Sequence, residues 1–287
     1  MKKPFINFVS MHTYFIYYIL PQIPMFIKTT NLMGSMGKIE EYIKEELQNK
    51  KGLLFTLIDP DDHTQQNAIK TAKNANEAGT DLILIGGSTL SSQEKLDEVA
   101  KQIKENVNVP VVLFPGSVSW LTKYVDGTYF MSLLNSRDTR WISGAQAKGA
   151  PMIKKIGIEP IPVGYLVVEP GGTVGKVANV ELIKRDDFEG AAAYALAAQY
   201  MGFHFVITDT GSNPSNGHIP LEMVTAVSKT IDIPYIVAGG IRTPDQAKKV
   251  ISSGADIIQV GTAFEENGGV QKIKDMIRAV REGAKQK

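Results

Sequence analysis

From residue 38 onward the chain repeats one pattern eight times: a short apolar run, rich in β-branched residues, ends in Gly, Asp, Pro or Ser and gives way to an amphipathic stretch. The runs are LLFTLIDP (53–60), DLILIGG (81–87), PVVLFPG (110–116), TYFMSLLN (128–135), PIPVGYLVVEPG (160–171), HFVITDTGS (204–212), PYIVAGG (234–240) and ADIIQVGT (255–262). Most lack polar–apolar alternation, as strands do when both faces of a parallel sheet are covered. The stretches between them carry helix signals. Ala68, Ala72, Ala75 and Ala78 share one face, with Gly79 where a C-terminal cap belongs. Phe188, Ala191, Ala192, Ala195 and Leu196 form a second stripe, and Thr243-Pro244-Asp245-Gln246 spells a capping box with proline at the first helical position. Eight parallel β/α units favour closure into a barrel, and LIDPDD after the first run is not the glycine-rich fingerprint of a doubly wound sheet. The expected fold is an α/β (β/α)8 TIM barrel, one catalytic domain over residues 38–287.

Two spacings depart from the repeat. Only 11 residues, SVSWLTKYVDG, join the third and fourth runs, which is short for a helical crossover, so the third helix is expected to be degenerate. Between the fifth and sixth runs lie 32 residues, of which TVGKVANVELIKRDD precedes the helix. A long loop on the catalytic face is expected to cover a substrate. Residues 1–37 form an apolar N-terminal extension of another character. Pro21 and Pro24 interrupt it as a membrane span, and Lys2 and Lys3 precede no evident cleavage site. Three readings stay open: a dispensable stretch upstream of a true start at Met33 or Met36, a segment packed on the domain or a partner subunit, or peripheral membrane contact.

Charge and composition exclude several classes. With 31 Lys plus Arg against 30 Asp plus Glu, the chain lacks the basic footprint of a nucleic-acid binder. It has no cysteine, which removes disulfides, thiolate catalysis and cysteine-ligated zinc and favours a cytoplasmic location. Its four histidines show no H-x-x-x-H spacing, against a zinc hydrolase.

In such barrels chemistry sits at the C-terminal ends of the strands. The polar residues there include Asp59, Asp61 and Asp62 after the first run, Gly86-Gly87-Ser88-Thr89 after the second and Asn135-Ser136 after the fourth. The fifth run ends in Glu169-Pro170-Gly171-Gly172 and the sixth in Asp209-Thr210-Gly211-Ser212. Gly239-Gly240 and Gly261-Thr262 end the seventh and eighth, where bare backbone N–H groups and a short helix N-terminus suit a phosphate; alternatively these glycines only make tight turns. Asp59 and Ser88 end neighbouring strands and suit an oxygen-ligated Mg²⁺ bridged to substrate phosphates, unless they are a turn residue and a helix cap.

TLIDPD (56–61), LIGGST (84–89), SLLNS (132–136), GYLVVEPGGTVG (164–175) and the AGGIR and VGT pair together resemble the geranylgeranylglyceryl phosphate synthase family of archaeal ether-lipid prenyltransferases, relatives of the bacterial heptaprenylglyceryl phosphate synthases. The resemblance covers residues 38–285 and implies a barrel with its third helix degraded. It implies Mg²⁺ near Asp59 and Ser88 on the diphosphate of a polyprenyl donor, taken as geranylgeranyl diphosphate, and sn-glycerol 1-phosphate as acceptor. The acceptor is expected on Thr208, Asp209, Thr210, Gly211, Ser212, Asn213, Gly239, Gly240, Gly261 and Thr262, with Asp209 catalytic. The family's sixth strand reads Y-L-E-A-G-S-G; here Ile207 replaces the Tyr and Asp209 the Glu, so a hydroxyl contact is either missing or supplied elsewhere. Tyr165 and Glu169 are further site candidates, Glu169 alternatively a hinge partner of a lid. Phe114, Trp120, Tyr124, Phe130 and Trp141 are candidates for a prenyl groove, or ordinary core. A homo-oligomer is expected. The competing functions are a phosphate-sugar isomerase, synthase or lyase on the same barrel, and a non-catalytic phosphometabolite-binding protein.

Overall fold

A computed structural model describes residues 37–61, 64–87, 92–265 and 269–287. Ser88, Thr89, Asp62 and the extension up to residue 36 lie outside the described residues. Each of the eight apolar runs forms a strand: β1 Leu53–Ile58, β2 Leu82–Ile85, β3 Val111–Leu113, β4 Gly127–Leu133, β5 Glu159–Val167, β6 Phe205–Asp209, β7 Tyr235–Ala238 and β8 Ile257–Val260. All pair in parallel with their sequence neighbours, and β8 returns to β1, closing the barrel. The expected fold is the observed one.

The helices follow their sequence signals. α1 (Lys38–Lys50) precedes the barrel, and α2 (Gln65–Ala78) buries Ala68, Ala72 and Ala75 before ending on Gly79 in the left-handed region. α3 is Gln93–Asn106 and α4 Ala145–Ile156, the latter entered through a π-helical turn, Arg140–Gly144. α5 is one short stretch, Gly172–Val177; α6 is Phe188–Tyr200 and α7 Leu221–Ser228. α8 (Pro244–Ser252) carries the complete Thr243–Gln246 capping box. α9 (Thr262–Glu265) and α10 (Val270–Ala284) end the chain.

Residues 114–126, between β3 and β4, form no helix, as the short connection predicts. The enlarged connection after β5, expected as loop up to its helix, contains α5. Its signal is the i, i+3 pair Val174 and Val177, too short a stripe to stand out from the surrounding glycines.

Strand alternation divides the core in two. Inward residues, among them Phe55, Leu84, Val112, Tyr129, Tyr165 and Ile207, fill the barrel, while Leu54, Val206, Val237 and Ile258 face the surrounding helices. The polar ends of the strands are thereby gathered at one rim.

Candidate active site

The inward positions nearest that rim build a cavity. Asp59 and Gly86–Gly87 form one side, Asp209, Gly211, Ser212 and Asn213 the next, and Gly239, Gly240, Gly261 and Thr262 the third. Of the expected acceptor residues only Thr208 and Thr210 do not line it. The reason is alternation along β6: Ile207 and Asp209 point inward, so Thr208 points out, where its hydroxyl bonds that of Tyr235 at 2.6 Å. Thr210 is buried beneath Gly239.

The third side is shaped for an anion. Gly239 and Gly240 have φ of 80° and 69°, and a Cβ on Gly239 would sit 2.6 Å from Asp209 Oδ1 and Thr210 Oγ1. Only glycine meets both demands, and it leaves backbone N–H groups bare. α9 begins at Thr262; the Phe264 N–H closes its first turn on Gly261 O, which leaves the N–H groups of Thr262 and Ala263 without a partner inside the helix. Arg242, two residues beyond the glycine pair, also lines the cavity and donates to Asn213 Oδ1. Its place directly after GGI is the sequence signal for a cationic side chain on this side of the cavity.

Asp209 is the buried carboxylate of the site. Tyr165 on β5 donates to its Oδ2 at 2.6 Å, and the Gly211 N–H donates to Oδ1 at 2.6 Å. Burial pushes its pKa above the ordinary carboxylate value, and these two hydrogen bonds pull it back part of the way. Burial, the Asp209 charge and the hydrogen bond to it all raise the Tyr165 hydroxyl, which keeps its proton and donates. Tyr165 is the register partner of Ile207 on the neighbouring strand. A tyrosine hydroxyl thus reaches Asp209 from β5, beside Ile207.

The loops after β5 and β6 meet backbone to backbone. A Cβ on Gly211 would lie 2.8 Å from Gly171 C and Gly172 N, so no side chain fits between them. Arg185 clamps the same two loops, donating to Glu169 O at 3.4 Å and His218 O at 2.7 Å. Glu169 takes part through its backbone and does not line the cavity. Thr173, Val174 and Val177 of α5 roof the mouth. Asn135 serves this scaffold too: its amide donates to Val167 O and Glu181 O, both at 2.9 Å.

A second, apolar groove opens where the third helix is missing. Val118, Leu121, Phe130, Gly149 and Ile153 line it, and Pro115, Met131, Leu133 and Trp141 belong to both it and the central cavity. Of the five aromatics expected here, Phe114 and Trp141 reach the cavity and Phe130 the groove. Trp120 and Tyr124 instead pack on the outer core between sheet and helices.

On the metal side, Asp59 lines the cavity with its carboxylate against Gly87: a Cβ there would fall 1.8 Å from Asp59 Oδ2. Asp59 Oδ1 accepts from the Asp61 N–H at 2.9 Å. Among the described residues no group of three or more His, Cys, Asp or Glu side chains converges on one point. One carboxylate facing a phosphate-sized space fits a hard divalent cation completed by substrate oxygens, and does not fit a metal caged by protein alone.

Comparison with known proteins identifies the family. The PcrB family model matches residues 44–284. The chain belongs to the PcrB family. Geranylgeranylglyceryl phosphate synthase of Thermococcus sibiricus is 51% identical over 254 residues, 88% of this chain and 99% of that protein. The Pyrococcus horikoshii enzyme of the same name is 50% identical over 253 residues, again 88% of this chain and 99% of that one. A crystal structure of (S)-3-O-geranylgeranylglyceryl phosphate synthase of Thermoplasma acidophilum in complex with substrate sn-glycerol-1-phosphate superposes with a TM-score of 0.82 at 39% identity, covering 86% of this chain and 99% of that one. Thiamine phosphate pyrophosphorylase of Pyrococcus furiosus, at 15% identity and a TM-score of 0.55, shares the barrel fold alone.

Proposed function

We propose that this chain is a prenyltransferase that forms the ether bond between the C3 hydroxyl of sn-glycerol 1-phosphate and geranylgeranyl diphosphate, the first committed step of archaeal membrane lipid synthesis. The observation that carries the proposal is a juxtaposition: the buried Asp209 carboxylate lies between a glycine-built phosphate cradle and an apolar groove. A phosphorylated acceptor and a long apolar donor can meet there at a proton acceptor.

The acceptor phosphate rests on Gly239, Gly240, Gly261 and Thr262, with Arg242 balancing its charge. This leaves the C3 hydroxyl to donate to Asp209. Tyr165 and the Gly211 N–H fix the carboxylate and lower the cost of its negative charge in a buried setting. As the hydroxyl oxygen attacks C1 of the allylic donor, the C1–O bond to diphosphate breaks and Asp209 takes the hydroxyl proton. The prenyl tail runs over Met131 and Trp141 into the groove, and the α5 roof keeps water from the allylic carbon. Asp59 would hold Mg²⁺, with Ser88, outside the described residues, as the second ligand that the family resemblance implies. The ion would supply positive charge to offset that of the diphosphate. A homo-oligomer is supported by the outward side of α6 and the residue after it, where Tyr194, Tyr200 and Met201 are exposed.

Purified protein incubated with Mg²⁺, sn-glycerol 1-phosphate and labelled geranylgeranyl diphosphate should yield an acid-stable, lipid-extractable product, and chelation should abolish it. No product while glycerol phosphate still binds would favour a phosphometabolite-binding protein. Turnover of a sugar phosphate with no prenyl donor would favour an isomerase or lyase.

A further inference from the structure

One polar side chain inside the barrel has no part in the chemistry above. Gln259, on β8, is 4% exposed and lines the cavity, yet its Oε1 has no hydrogen-bond partner among the described residues. A leucine or methionine would fill an aliphatic barrel layer without stranding a buried carbonyl.

The sheet register says what Gln259 faces. Asp209 pairs with Ala238, and Ala238 pairs with Gln259, so the three stand side by side at one level of the sheet. All three line the cavity, and register partners in a parallel sheet project from the same face. Ala238 contributes a single methyl. The space between carboxylate and amide, whose strands are two spacings or roughly 10 Å apart, is left open to a ligand. The glycine cradle begins one residue beyond Ala238.

We infer that Gln259 reads the second, non-reacting hydroxyl of the acceptor and is a specificity residue for a phosphorylated three-carbon diol. The inference rests on the acceptor proposed above. With the phosphate on the glycines and the reacting hydroxyl on Asp209, the middle carbon lies between β6 and β8. Its hydroxyl donates to Gln259 Oε1 or accepts from Nε2, so either rotation of the amide is satisfied. The mirror-image glycerol phosphate, held at the same two ends, turns that hydroxyl away from β8. An acceptor without the hydroxyl leaves the amide unpaired in the complex, the condition under which polar sites discriminate strongly.

The experiment measures kcat/KM for sn-glycerol 1-phosphate and for 3-hydroxypropyl phosphate, which lacks only the second hydroxyl. It uses wild type, Gln259→Met and Gln259→Leu, with geranylgeranyl diphosphate as donor. Wild type should prefer the diol by about 100-fold, the effect of leaving one buried polar group without its partner. In Gln259→Met the preference should fall below about tenfold, through loss on glycerol 1-phosphate alone, with KM for the donor and the melting temperature undiminished. An undiminished preference in the variants, or equal loss on both acceptors, would overturn the assignment; so would a wild type that uses both acceptors equally, while leaving the prenyltransferase reading intact. A wild type that prenylates neither acceptor would overturn both.

Discussion

At the residue scale, the proposed transfer turns on one carboxylate, Asp209, whose burial opposes its charge. Asp209→Ala should abolish transfer while prenyl diphosphate binding, followed by calorimetry, stays intact; near-normal turnover would sink the assigned role. Because burial raises the Asp209 pKa, the acid limb of the kcat profile should lie above the ordinary carboxylate range. Tyr165→Phe removes one of the two hydrogen bonds that lower this pKa. Its acid limb should therefore move to higher pH and its kcat fall about 10–100-fold. The stability sign is opposite to the catalytic one. A raised folded-state pKa favours the protonated carboxyl, so this contribution is present at low pH and lost as pH rises through the folded pKa. Asp209→Asn should consequently melt higher than wild type at pH 8, with the difference shrinking toward pH 4. Scanning calorimetry across that range checks it.

At the element scale, a missing helix makes the groove. Where α/β barrels place a helix after the third strand, this chain has an irregular connection, and the space between it and α4 is lined by small and apolar residues. Gly149 of α4 is in that lining, and a Cβ there would meet Val118 only at ordinary contact distance, 3.8 Å. Gly149→Phe should fill the groove without unfolding the barrel. The ratio of kcat/KM for the C20 over the C15 donor should drop at least about tenfold, with KM for the acceptor unchanged. Equal use of both donors before and after the substitution would count against this path for the tail. The groove was half legible beforehand: the 11-residue spacing announced the lost helix, but aromatic identity alone did not say which rings face it. Trp120 and Tyr124 sit in the same stretch and pack elsewhere, because an irregular connection has no period from which direction can be read.

At the scale of the whole molecule, the barrel must hold its first and last helices against the end opposite the cavity. Asp81 at the start of β2 is fully buried, and Arg281 of α10 donates to both its oxygens at 2.6 and 2.8 Å. Lys50 of α1 adds a contact at 2.8 Å, and the Leu54 N–H another at 2.8 Å. Glu159 at the start of β5 accepts from the first-turn N–H groups of Ile39 and Glu40. Arg281→Met should leave a buried carboxylate partly compensated by Lys50. It should cost about 3 kcal/mol in urea unfolding while KM for both substrates stays at the wild-type value. Among the described residues no helix is long and apolar enough to cross a membrane.

The sequence by itself determined the architecture and the list of rim residues. Strand periodicity, cap chemistry and connection lengths are local, and eight equivalent units leave few ways to close. It located the glycine-lined side of the cavity as well, because a bare glycine pair at a strand end marks a backbone conformation that other residues rarely adopt. Only the tertiary structure decided which rim side chains face the cavity and what they touch there. Tyr165 completes Asp209 from a neighbouring strand, Thr208 turns away, Glu169 contributes backbone alone, and Gln259 stands open at the level of Asp209. Those outcomes depend on register between strands tens of residues apart, and a shift of one residue would exchange every inward side chain for an outward one.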